Sequence, residues 1–139
     1  MLAGAVASVV SGVPSTTYHL VTGRSVLDPV RAAGTLVLPA AAPGPLLLVA
    51  GTVVHVAVSL GWGAVLGVVL PRRRSAGWGV AAGLVIAGLD LGVLGRRFPR
   101  IRALEPAPQV ADHLAYGATV GAALRCRAGW RGGATPPRR

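Results

Sequence analysis

Apolar residues fall into four stretches along the chain, roughly 2–21, 45–70, 76–95 and 110–124, and polar residues gather between and after them. A hydrocarbon core about 30 Å thick takes about 20 helical residues at about 1.5 Å each. The second and third stretches meet that length outright. The first is interrupted by Pro14 and by Ser15-Thr16-Thr17-Tyr18-His19, and the fourth is short and carries Asp112 and His113 near its start. The pattern predicts an all-α integral membrane protein: a four-transmembrane-helix bundle over residues 1–126, followed by an Arg/Gly/Pro-rich disordered tail over 127–139. Pro14 is expected to kink the first helix, and nearby Ser and Thr hydroxyls to help satisfy the carbonyl it frees.

The connections differ in kind. Loop one, 22–44, holds Asp28-Pro29, Pro39 and Pro43, and its mildly apolar middle, 30–38, suits an interfacial or re-entrant turn. Loop two, 71–75, is short enough to turn spans two and three into an antiparallel hairpin. Loop three, 96–109, spaces Phe98, Ile101 and Leu104 by three, which lets a turn bury one face at an interface.

Composition strengthens this reading. With 53% hydrophobic residues and a mean hydropathy of +0.61, 139 residues leave too little polar surface for a soluble globule. No charged residue lies within 45–70, as expected where a mid-bilayer charge costs about 2.5–3.5 kcal/mol. All fourteen basic residues are arginine. Together with abundant Ala, Gly, Val and Pro, that bias is a GC-rich codon pattern and points to a bacterial inner membrane. The N-terminus, loop two and the tail hold eight arginines, against six in loops one and three, so both termini are expected in the cytoplasm. The net charge of +10 sits in short clusters beside apolar stretches: Arg72–Arg74, Arg96-Arg97, Arg125/Arg127 and Arg138-Arg139. These read as topology signals and contacts to anionic headgroups, without nucleic-acid binding, which would add a soluble module or interleaved aromatics. No basic residue precedes Arg24, so a removable signal is not expected. Cys126, the one cysteine, allows no intrachain disulfide.

Helices inside lipid associate through close packing of small residues, and each span carries such residues four apart, on one helical face. Span one has Gly4, Ser8 and Gly12. Span two has Gly51, His55, Ser59, Gly63 and Gly67. Span three has Gly79, Gly83 and Ala87, with Gly88 and Gly92 on another face, and span four has His113, Gly117 and Gly121. These rows predict a tight bundle or a homo-oligomer. Spans two and four also share the order His-x3-small-x3-Gly-x2-Leu, at His55, Ser59, Gly63, Leu66 and at His113, Gly117, Gly121, Leu124; spans one and three do not match, so chance in a Gly-Ala-Val-Leu alphabet is the favoured origin and a duplicated helical hairpin the alternative.

Ionisable groups inside spans point to function because burying them is costly. Tyr18, His19, His55, Asp90, Asp112, His113 and Tyr116 all fall toward the ends facing loops one and three, which predicts a polar cluster in one leaflet. In the favoured reading these residues fix helix register in a protein of structural or accessory role. The alternatives are a proton relay or cation site in a transport protein, and a haem or metal held by His55 and His113, which stand about a turn apart in depth. No Gly-x-Ser-x-Gly elbow, His-Glu-x-x-His pair or phosphate-binding glycine loop occurs, so no catalytic residue is assigned and an enzyme is not expected.

Overall fold

Proline sets where the helices begin. In the computed structural model, which describes residues 2–71 and 75–132, the first apolar stretch forms two helices, α1 (Leu2–Val10) and α2 (Val13–Val21). The remaining helices are α3 (Asp28–Gly34), α4 (Gly44–Val69), α5 (Ser75–Leu89), α6 (Pro99–Arg102) and α7 (Pro106–Gly132). Pro14, Pro29, Pro45, Pro99 and Pro106 each stand at the start of their helix, where a missing N–H costs nothing and the fixed φ suits the first turn. α4 ends before Pro71, with Leu70 extended, because a residue preceding proline avoids the helical region. Every regular element among the described residues is helical.

Several boundaries depart from the sequence expectation. The first stretch does not kink at Pro14. It breaks at Ser11-Gly12, so that Pro14 opens the next helix rather than interrupting one. The third stretch changes winding, passing from α5 into a π turn, Asp90–Leu94, and a 3-10 turn, Gly95–Arg97. α7 starts earlier than 110 and carries on past Leu124 into the segment expected to be disordered; 133–139 lie outside the described residues, as does the arginine run at 72–74. In loop one, α3 packs along α4, with Gly34 against the Leu47 backbone and Gly51 against the Val30 backbone.

The bundle is built from two antiparallel pairs, α1 with α4 and α5 with α7, and α1 also lies against α7. α4 and α5, neighbours in sequence, scarcely touch as backbones. The expected hairpin is therefore splayed, because the glycine row of α5 meets that of α7 instead. Gly79 faces Gly117, Gly83 faces the His113 carbonyl, and Gly121 faces Ser75, whose hydroxyl donates to the Gly121 carbonyl at 2.7 Å. A Cβ at any of these glycines would overlap partner backbone. Between α1 and α4 the fit is looser: Gly4 lies over Ser59 and Gly63.

Not every small residue makes a contact. Gly12, Gly67, Gly88 and Gly92 have open space where a side chain would be. Residues four apart advance about 40° past a full turn, so a row as long as Gly51 to Gly67 winds around α4. Gly51 serves α3, Ser59 and Gly63 serve α1, and Gly67 is left outside, correcting its assignment as a packing position. The apolar core is small and joins all four rods: Ala7, Leu66, Ile86, Tyr116 and Val120, with Trp62, Leu70, Ala82 and Leu124 packed against it. Large apolar side chains elsewhere point outward, among them Val49, Val53 and Val68 of α4 and Leu84 and Val85 of α5.

Candidate functional site

A helix break leaves backbone groups without partners, and here side chains from two other helices supply them. On the α1 side, His55 of α4 donates Nε2–H to the Ser8 carbonyl at 3.0 Å. On the α2 side, the Ser15 N–H donates to Asp112 Oδ1 of α7 at 2.9 Å. The local hydroxyls expected to do this work sit farther off, Ser11 Oγ at 3.5 Å from the Ser8 carbonyl and Ser15 Oγ at 3.4 Å from that of Gly12. Tyr116 of α7 adds a third cross-link, its hydroxyl donating to the Ser59 carbonyl of α4.

The second irregular segment, the π turn at Asp90–Leu94, faces α7 at the same level. Asp90 Oδ2 lies 3.4 Å from His113 Nε2, and His113 Nδ1 lies 2.8 Å from the Gln109 carbonyl. A carbonyl only accepts, so Nδ1 carries a hydrogen. A neutral ring would then turn a lone pair toward the carboxylate. A ring that also carries a hydrogen on Nε2 would donate it to Oδ2. Both side chains are about a quarter exposed. π-Helical segments are rare, mostly single-turn bulges within α-helices, and frequent at functional sites.

Five of the seven expected cluster residues share one cavity of about 320 Å³: His55, Asp90, Asp112, His113 and Tyr116. Ser11, Ser15, Trp62, Ile86, Leu91 and Gln109 also line it, and Ala33 of α3, Ile101 of α6 and Leu104 close it on the loop side. That covering is tied down by Arg24 to Glu105 at 3.2 Å and by Arg100 to the Ala40 carbonyl at 2.7 Å. Tyr18 and His19 stand apart from the cavity. Their rings meet edge to face at 5.7 Å, Arg24 lies 5.8 Å above Tyr18, and His19 is buried with Nδ1 lacking a partner among the described residues.

The sequence reading missed Ser8 and Ser15, which act through backbone groups, and Gln109, which it placed in loop three rather than in the first turns of α7. The Ser-Gly-x-Pro run before the broken helix was the available signal for the first two. Among the described residues no group of three His, Cys, Asp or Glu side chains could hold a metal ion, and both ring nitrogens of His113 already face protein partners. No known protein family, curated protein or solved structure matches this chain.

Proposed function

We propose that this chain is a small four-span inner-membrane protein of structural or accessory role, in which the polar cluster braces two interrupted helices within one leaflet. Two helical segments, Gly44–Val69 and Ser75–Arg97, are long and apolar enough to cross a membrane, and only 17% and 22% of their apolar windows is buried. Core helices of a soluble domain would be buried, so these surfaces suit lipid. The broken α1–α2 rod and the long α7 complete the four spans in this reading. Arg96, Arg97, Arg100 and Arg102 are exposed at one end, where anionic headgroups would meet them.

The observation that carries the structural role is the pairing at the Ser11-Gly12 break. His55 and Asp112 each satisfy backbone released there. Lipid offers no such partner, so the bracing side chains have a structural purpose without any chemistry.

A second reading, proton or cation handling, is favoured by the Asp90–His113 contact beside a cavity flanked by two irregular helices. Transport sites commonly lie at discontinuous helices. Asp90→Asn separates the two. A brace predicts a lower thermal midpoint, corresponding to about 1 kcal/mol, in a protein that moves no ions in liposomes. A transport site predicts an unchanged midpoint and loss of a pH-dependent flux that the wild type shows.

A further inference from the structure

We propose that the cavity between the broken α1–α2 rod, α4 and α7 is a binding site for a small organic monocation, an ammonium group carried on an apolar body. Its volume of about 320 Å³ falls at the lower end of small-molecule sites, about 300–1,000 Å³. The wall is mostly apolar, with Trp62, Ile86 and Leu91 among its members, and it includes two carboxylates, Asp90 and Asp112. The chain has fourteen arginines, yet no arginine lines this wall among the described residues. An anion would therefore meet two carboxylates with no arginine to receive it.

Two of the polar groups in the wall face partners inside the protein: Asp90 lies against His113, and His55 donates Nε2–H to the Ser8 carbonyl. Asp112 remains, a carboxylate that accepts the Ser15 N–H and has no cationic side chain bonded to it among the described residues. A carboxylate in a largely apolar cavity either takes up a proton or meets a counter-charge, and a monocation in the cavity would supply the latter. Trp62, which also lines the wall, is the ring type that best attracts ammonium groups. This inference concerns the occupant of the cavity and holds whether the fold sits in a bilayer or not.

The test uses detergent-purified full chain carrying Trp78→Phe and Trp130→Phe, so that fluorescence reports Trp62 alone. The probes are benzyltrimethylammonium, its neutral isostere neopentylbenzene, and the anion phenylacetate. The cation is expected to give a saturable change, with the neutral isostere at least about tenfold weaker, as loss of one charge contact of about 1.4 kcal/mol requires, and phenylacetate silent. Asp112→Asn keeps an oxygen for the Ser15 N–H and should lower cation affinity to that of the isostere, while Asp112→Glu retains it. Should Asp112→Asn lose its helical circular dichroism, Ala33→Trp fills the cavity from α3 with every charge in place and should abolish the response. Equal affinity for cation and isostere, unchanged cation binding in the folded variants, or no saturable response to the cation overturns the proposal.

Discussion

The α1–α4 pair and the α5–α7 pair carry matching residues on their later helix, His55, Ser59 and Gly63 in one and His113, Gly117 and Gly121 in the other, yet they are joined by different forces. In α5–α7 the partner offers Ser75, Gly79 and Gly83 at the same spacing, and backbone meets backbone at three successive turns. In α1–α4 the partner offers Gly4 and then, past Ser8, comes apart at Ser11-Gly12; Gly12 meets nothing. There the histidine changes role, from part of a contact row to a donor for a broken backbone. A small-residue row becomes a seam only where the facing helix continues in step. Where it does not, polar side chains take over and leave a cavity between them.

Substitutions can break that contrast in graded steps. Leucine at Gly117 or Gly121 has to displace partner backbone, so the loss of thermal stability should be largest there, about 3 kcal/mol at the upper end of overpacking. Gly63→Leu, against the looser α1, should cost less, about 1–2 kcal/mol. His55→Ala leaves the Ser8 carbonyl short of a donor and should cost about 1 kcal/mol. Leucine at Gly88 or Gly92, where nothing lies within contact range, should change stability by less than about 0.5 kcal/mol. Thermal unfolding followed by circular dichroism in one detergent orders the series. Equal losses at Gly121 and Gly92 would erase the distinction between seam and open face.

The parts of the fold legible in the sequence were those governed by repeating local rules. Gly79, Gly83, Gly117 and Gly121 were legible because spacing by four puts small residues on one face, and both rows are short enough not to wind away. Gly67 was misjudged because its row is longer and its drift around α4 accumulates. Five cavity residues were legible as costly polar groups at related depths. Their partners were not, because the Ser8 carbonyl and the Ser15 N–H are backbone groups that any residue supplies. The splay between α4 and α5 was likewise hidden: a short loop brings two helix ends together but does not decide which faces match. That depends on α7, contributed from the far end of the chain.

The arrangement we propose has four spans, with the helices alternating in direction and both termini on the cytoplasmic side. Its most direct measurement is a pair of fusions in bacterial cells to a reporter active only outside the cytoplasm, one following Arg139 and one in loop one near Ala33. Silence after Arg139 and activity near Ala33 are expected. Activity after Arg139 with silence near Ala33 would contradict the orientation, and the same signal at both positions would contradict the four-span fold itself.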